Sequence, residues 1–400
     1  MRMPLLDRAF YLLDGARSPQ DFTLTFDLHD LPDVHRLYAG AKSVMNRFPM
    51  SACSVARGSW VWRENKDFRL AVVEGEDSAA IERFIDEPLD LRRQPPVKQL
   101  LVLSGSSTRL ATRFHHAAAD GLSAALWLGH QLNVAYEVET AQLERGPFDG
   151  LSFRQSKTSA RRSQFAYDGA SDALRTSGLK RSGSRRWSTI CFRSCELQKA
   201  CRRLRGFTYH DLLATCVLES LVHWNGPKCK IGLWVPMNVR RESRAGFGNG
   251  TSRIRVYANY DRDAPLVEKC RAVRQQVTWS MEHGEWVVPE LPWLTRLPDS
   301  IAGPLLRNYL KLPKIDMATA VFTHAGSWLA NAGAAFKNVG RIECVGLLHA
   351  RQNLAINAAT HSGQTWLTLT YDPAQLTATD TEQLTRLFSN QLAEARRKLS

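Results

Sequence analysis

No window of about 18 uninterrupted apolar residues occurs anywhere in the sequence, which excludes a membrane-crossing helix of ordinary length. The opening M-R-M-P-L-L-D-R-A-F has no apolar h-region, because Asp7, Arg8 and Asp14 interrupt it, so a secretory signal is not expected and a cytoplasmic protein is. The eight cysteines include no C-x-x-C pair. Cys191, Cys195 and Cys201 cluster near His210, but C-x3-C-x5-C is poor spacing for tetrahedral zinc, so no metal site is expected and the thiols read as reduced. No internal repeat recurs at a fixed period, which removes solenoids and propellers. Acidic residues are scarce: 39 against 53 Lys and Arg, a net charge of +14.

What is present is the composition of a globular protein, with 44% apolar and 23% charged residues over 400 positions. That length suits two domains. The basic surplus favours anionic partners such as phosphate-bearing cofactors, acidic proteins or lipid. No recognisable nucleic-acid motif accompanies it, so nucleic acid is not expected.

Patterning divides the chain into 1–145, a connection at 146–186 and a second domain at 187–400. In the first part, alternation predicts strands at 24–28, 59–63 and 68–73, and apolar spacing predicts a helix over 33–47. Two apolar runs around Ser104-Gly105-Ser106-Ser107 predict a hairpin over 99–114, and a helix follows from Leu122 to about Tyr136. The connection is rich in Gly, Ser and basic residues (Arg154, Lys157, Arg161, Arg162, Arg175, Lys180, Arg181, Arg185, Arg186) and reads as a solvated crossover. The second domain reads as strands at 187–192, 230–236, 252–259, 317–323, 353–360 and 365–371, with helices at 195–205, 207–224, 265–282 and 380–398. Residues 286–313 are apolar but punctuated by proline, which reads first as ordinary crossover packing, with a lid over an acyl channel or a peripheral lipid contact as the alternatives. The fold class is therefore α/β (α+β), two domains each with a mostly antiparallel or mixed sheet covered by helices.

One motif carries chemistry. His115-His116-Ala117-Ala118-Ala119-Asp120-Gly121 lies where the 108–114 strand ends and the next helix begins, a place where reactive groups are commonly presented. A neutral imidazole accepts a proton near pH 7, so His116 is a natural general base and His115 a group that could orient it. Asp120 stands where it could cap the helix or pair with a distant arginine. Gly121 leaves its amide unshielded, a candidate donor to a developing oxyanion.

HHxxxDG at this position resembles the CoA-dependent acyltransferase superfamily, which has the chloramphenicol-acetyltransferase fold and includes nonribosomal peptide condensation domains and bacterial wax-ester/diacylglycerol acyltransferases. Weaker segments agree in order. Leu5-Leu6-Asp7-Arg8-Ala9-Phe10 is similar to the N-terminal strand region of the wax-ester type, and FTYHDLLA at 207–214 to a helix that begins N-D-x-x-L-A, with His210 in place of Asn. VPMNVRRESRAGFGN at 235–249 is similar to the P-x-x-x-R…G-N segment. Phe322-Thr323-His324-Ala325-Gly326 only approximates the usual S-N-x-G strand, and D-F-G-W-G is missing.

The resemblance implies two subdomains in a V with a tunnel between them, His116 at the meeting point as catalytic base, and His115 mainly structural. Asp120 would pair with Arg240, and Thr323 and Asn249 are candidates for the oxyanion pocket or tunnel lining. No permanent cofactor is implied. Acyl-CoA or another phosphopantetheine thioester would be co-substrate, an alcohol or amine the acceptor, and the enzyme an acyltransferase working as a monomer. A carrier-protein-dependent condensation enzyme differs in donor and not in chemistry, and a non-catalytic binding module is the reading from another class. Arg202, Arg203 and Arg205 beside Gly206 are candidate phosphate contacts.

Overall fold

The computed structural model describes residues 3–399 apart from 31, 63–67, 76, 106, 139–162, 169, 179–180, 241–246, 288–290, 313–316, 327–333 and 350–351. The chain opens on α1 (Leu5–Leu13), β1 (Asp21–Leu28), α2 (Val34–Arg47), the short hairpin β2 (Cys53–Ala56) and β3 (Ser59–Trp62), then β4 (Leu70–Glu74) and α3 (Asp77–Asp86). The hairpin β5 (Val97–Ser104) and β6 (Ser107–His115) leads into α4 (Gly121–Ala135). The second half runs β7 (Arg186–Arg193), α5 (Cys195–Leu204), α6 (Tyr209–Asn225), β8 (Gly232–Asn238), β9 (Thr251–Tyr257) and α7 (Leu266–Glu282). It continues through α8 (Pro292–Arg296), α9 (Asp299–Tyr309), β10 (Ala320–His324), β11 (Val339–Val345), β12 (Leu354–His361), β13 (Gln364–Tyr371) and α10 (Ala378–Leu399).

Two mixed sheets organise these elements. The first has the order β11-β1-β6-β5-β4 and the second β7-β13-β12-β10-β8-β9. In the first, β4 is the one strand that runs parallel to its neighbour; in the second, β10 runs parallel to both β8 and β12. β1 sits between β6 and β11 and buries seven of its eight residues, so its apolar and hydroxyl side chains are covered on both faces. β11 comes from the far end of the chain, so the second half completes the first sheet.

Helices cover the sheets for reasons written in their composition. α4 is apolar around most of its circumference and buries eleven residues, among them Trp127, Leu128 and Leu132. α2 packs closely on it: a Cβ at Gly40 would stand 2.6 Å from the Gln131 carbonyl oxygen, so only glycine fits that crossing. α6 starts with a capping box in which Thr208 and Asp211 each satisfy the other's backbone N–H, and then buries Leu212, Leu213, Val217, Leu218 and Leu221 in the second core.

Three differences from the sequence reading have physical causes. Leu5–Phe10, expected as a strand region, is helical: the segment places Leu12 in an apolar cluster with Leu294, Ala302 and Leu306 of α8 and α9, so α1 is half of a helix-on-helix contact. α3 and β11 carry no clear period in the sequence; β11 buries Val339, Ile342, Glu343 and Val345 without strict alternation and is held in the sheet by its pairing with β1. Finally, Arg185 does not sit in a solvated connection. It is buried and donates to Asp21, which Arg113 also grips, while Arg181 holds the carbonyl oxygens of Leu348 and His349. Arg154, Lys157, Arg161, Arg162 and Lys180 lie outside the described residues.

Candidate active site

β6 ends at His115, and the turn 116–120 joins it to α4. Each peptide group that shapes this turn is held by a segment distant in sequence. His115 N–H donates to the Pro96 carbonyl and His116 N–H to the Gln20 carbonyl, both at 2.8 Å. The His116 carbonyl accepts from Asn249 Nδ2 at 2.9 Å, and Asp120 N–H reaches the Gly248 carbonyl at 3.3 Å. The turn is thus clamped between β1 on one side and the β8–β9 connection on the other.

Asp120 caps α4 by accepting from Ser123 N–H at 3.0 Å. Its carboxylate also takes both ends of the Arg240 guanidinium, at 2.9 Å on Oδ1 and 2.8 Å on Oδ2. The Gly250 amide and Thr251 hydroxyl complete the set at 2.8 and 2.9 Å. Burial opposes charge on Asp120, but the Arg240 guanidinium outweighs it and holds the carboxyl below the usual carboxylate range. Arg240 in turn donates to Ser123 Oγ and the Gly248 carbonyl, at 2.9 and 2.8 Å. A Cβ at Gly250 would fall 2.6 Å from Arg240 Cγ, so the guanidinium can lie there only over a glycine.

His116 is placed differently. Its ring stacks on Phe10 with centroids 4.2 Å apart and planes 12° from parallel, and meets the edge of Phe22 at 5.4 Å. Nδ1 is buried without a hydrogen bond to another residue. Burial pushes the imidazole down to about 4; Asp120 works against this shift and His115 with it. The ring is therefore neutral at pH 7, with a free lone pair. His115 is fully buried: its Nδ1 accepts from Ala117 N–H at 3.1 Å and its Nε2 faces the Asp14 carboxylate at 3.4 Å. Since Nδ1 accepts, the ring proton belongs on Nε2.

The structure brings His115, His116, Asp120, Arg240 and Asn249 together. Gly121 is the first residue of α4, and its N–H is among those that open that helix. Thr323 lies on β10 opposite Asn357, half-buried, and no hydrogen bond joins it to the histidines among the described residues. Arg203 is engaged by the Leu399 carbonyl at the end of α10, while Arg202 and Arg205 are exposed.

Sequence reasoning missed Phe10, Asp14, Gln20 and His349. His349 is pushed down to about 3 by burial, then by Arg253 and His116, and its ring meets Trp234 at 5.2 Å. Spacing could have found one of these: Phe10 stands with Asp7 at i, i+3 on one face of α1, whereas Asp14 follows the helix in an extended conformation. Among the described residues no group of three His, Cys, Asp or Glu is placed to hold a metal ion, and no helix is long and apolar enough to cross a membrane.

No family model matches the chain, and no curated protein matches it. Solved structures do. The cyclization-docking bidomain of EpoB from Sorangium cellulosum is matched with a TM-score of 0.69 over 100% of this chain and 84% of that one, at 15% identity. The condensation domain from the Monacolin K polyketide synthase MokA gives 0.66 over 99% and 97%, at 11%. A mutant starter condensation domain of rhizomide synthetase RzmA, in complex with C8-CoA and Leu-SNAC, gives 0.67 over 100% and 94%, at 14%. The chain has the fold of nonribosomal peptide condensation and cyclization domains along its whole length.

Proposed function

We propose that this chain is an acyltransferase that moves an acyl group from a phosphopantetheine thioester to a hydroxyl or amine acceptor. The observation that carries the reading is His116 itself. It is a neutral imidazole, partly open to solvent, without a hydrogen bond to another side chain, in a turn clamped from both halves of the molecule. Such a group can accept a proton from a substrate and has little else to do.

The acceptor O–H or N–H attacks the thioester carbonyl carbon while its proton passes to His116, at Nε2, since Nδ1 is the buried nitrogen. The carbonyl oxygen becomes an oxyanion, met by the Gly121 amide and the Thr323 hydroxyl. The tetrahedral species then collapses: the C–S bond breaks, the imidazolium returns its proton to the thiolate, and free thiol leaves. No covalent enzyme intermediate is required, because a thioester is already activated. General-base assistance of this kind contributes roughly 10²–10⁴ in rate, and positioning supplies much of the rest. Asp120, Arg240 and Asn249 touch no substrate in this scheme; they hold the turn. The two substrates approach between the two halves, from opposite faces.

The donor is acyl-CoA or the same arm on a carrier protein. A C8-CoA complex of RzmA and the synthetase origin of several structural neighbours support one source each. A thiol-release assay tests the reading, with acyl-CoAs from acetyl to palmitoyl, a mixed alcohol and amine pool, and His116→Ala as control. Acceptor-dependent release that His116→Ala abolishes is the expected result. Silence with CoA but release from an acylated carrier protein assigns the donor to the carrier. Silence with both refutes the proposal.

A further inference from the structure

The face that α1 turns inward carries Asp7 and Phe10, with Asp14 following at its end, and Phe10 and Asp14 touch the machinery around the histidine turn. Asp7 is 3% exposed and accepts from Trp60 Nε1 at 3.4 Å. Phe10 covers one face of the His116 ring at 4.2 Å. Asp14, just beyond the helix, places Oδ2 3.4 Å from His115 Nε2, while Oδ1 accepts from Gln20 N–H at 2.8 Å. Gln20 uses its carbonyl to hold His116 N–H. One carboxylate thus lies beside the ring of His115, without a hydrogen bond to it, and holds through Gln20 the peptide that carries His116.

The geometry points to α1 and the residue that ends it as the positioning element of the site: Phe10 fixes the plane of the His116 ring by stacking, and Asp14, through Gln20, fixes the backbone under His116. This rests on the acyl-transfer reading for its kinetic consequence, though not for its structural one. The outer face of α1 has a separate task. Arg8 bonds the Leu297 carbonyl at 2.6 Å and Asp299 at 2.8 Å, and Leu12 joins the α8–α9 cluster, so the helix is docked independently of Phe10 and Asp14. A large effect of the inner residues is therefore separable from loss of the helix.

Phe10 excludes water from one face of the imidazole. The charged and titratable groups that act on this ring are Asp120, which favours its protonated form, and His115, which disfavours it; His116 in turn disfavours a proton on His349. None of these is removed by changing Phe10. A smaller residue at position 10 admits water and raises the His116 midpoint from about 4 toward the ordinary histidine value of about 6.5.

The experiment follows the histidine ring resonances of the full chain by NMR against pH, with His116 assigned by its disappearance in His116→Ala. In Phe10→Leu, which keeps apolar bulk but no flat ring, the His116 midpoint rises by about one pH unit or more, and in Phe10→Tyr it stays near wild type. In Asp14→Ala, where the Gln20 N–H loses its acceptor, the backbone amide resonances of Gln20 and His116 shift, and in Asp14→Asn, whose Oδ1 still accepts, they stay near wild type. Where transfer is measurable, the acid limb of kcat moves with the His116 midpoint, and kcat changes more than KM. A folded Phe10→Leu protein with an unmoved His116 midpoint overturns the role of Phe10, and unmoved Gln20 and His116 amide resonances in folded Asp14→Ala overturn that of Asp14. Should Phe10→Leu fail to fold, Phe10→Trp, with its ring retained, must keep the midpoint or the proposal fails. Transfer absent from the wild-type chain while these shifts occur refutes the acyl-transfer reading and leaves the positioning role standing.

Discussion

Among the described residues two pairs of neighbouring imidazoles stand out, one in each half. His115 and His116 close β6; His210 at the start of α6 and His324 at the end of β10 stack with ring centroids 5.9 Å apart. Burial lowers both members of the second pair, His324 to about 3, much as it lowers His116 to about 4. A depressed imidazole is therefore no mark of a site in this protein. What separates the pairs is the use of the ring nitrogens. His324 Nε2 bonds Thr360 Oγ1 at 3.0 Å, which continues to Thr365 at 2.8 Å and then to the Tyr209 hydroxyl at 3.0 Å. That network closes on itself. His116 shares no such bond; its neighbours are two aromatic faces, and what is hydrogen-bonded is its backbone.

The largest effect expected from this difference is catalytic. If the proposed acyl transfer holds, His116→Ala lowers acceptor-dependent thiol release by about 10²–10⁴ while the protein keeps its cooperative unfolding, because only the proposed base is lost. His324→Ala does the reverse: transfer stays near wild type and Tm falls by several degrees, since Thr360 loses one of its two hydrogen-bond partners. Equal losses of transfer in the two variants would erase the comparison and leave burial as the only property the pairs share.

Next in size is the support of the first pair. Removing Arg240 strands the Asp120 carboxylate among buried groups, which typically costs about 3–5 kcal/mol. Arg240→Ala therefore shifts the denaturation midpoint strongly and lowers transfer with it. Arg240→Lys recovers little, because an ammonium cannot span both carboxylate oxygens. Thr360→Val, the matching cut in the second network, costs only about 1–3 kcal/mol and spares transfer. An Arg240→Ala protein as stable as wild type would show that the turn is held by Gln20 and Asn249 alone.

How much of this could be read from the sequence follows the same line. HHxxxDG and the P-x-x-x-R…G-N segment were legible because a reactive turn and its clamp need particular residue types at fixed local spacing. The long amphipathic and apolar helices α2, α4, α6, α7 and α10 were legible from period. What escaped were pairings that no local pattern encodes. β11 is a strand because β1 covers it, and Arg185 is buried because Asp21 lies 164 positions away and accepts its guanidinium at 2.5 Å. α1 escaped for a related reason: its nine residues show their purpose only when α9 stands on one face and His116 on the other.

Acid separates the halves of the comparison more gently. Asp21 and Asp120 are ionised against burial, Asp21 by Arg185 and Arg113 and Asp120 by Arg240, and both have folded values below those of the unfolded chain. Their stabilisation is complete above the unfolded carboxyl value of about 4 and is lost as pH falls through the lower folded values. His116 and His324 also titrate lower in the folded chain, so the unfolded state takes up their protons first and stability already declines below about pH 6.5. Thermal unfolding followed from pH 7 to pH 3 should show both phases. His116→Ala and His324→Ala each flatten the upper one, and neither touches the lower. An upper phase insensitive to both would assign it to other histidines.

The smallest expected effect lies within one strand. Thr323 and His324 are adjacent on β10, so their side chains point to opposite faces of the sheet. His324 faces α6, where its ring meets Tyr209 edge-on at 5.6 Å, whereas Thr323 shares its face with Asn357 of β12. Asn357 packs against Gly346, where a Cβ would come within 2.7 Å of its Nδ2, so this face of the second sheet turns toward the chain just beyond β11 of the first. If the Thr323 hydroxyl assists the oxyanion beside the Gly121 amide, Thr323→Val lowers kcat by about tenfold, less than the loss of a principal oxyanion donor, and leaves KM for the thioester unchanged. Thr323→Ser restores it, since the hydroxyl and not the methyl is at issue. A Thr323→Val enzyme with full kcat would take β10 out of the reaction and leave the α4 N-terminus as the sole donor to the developing charge.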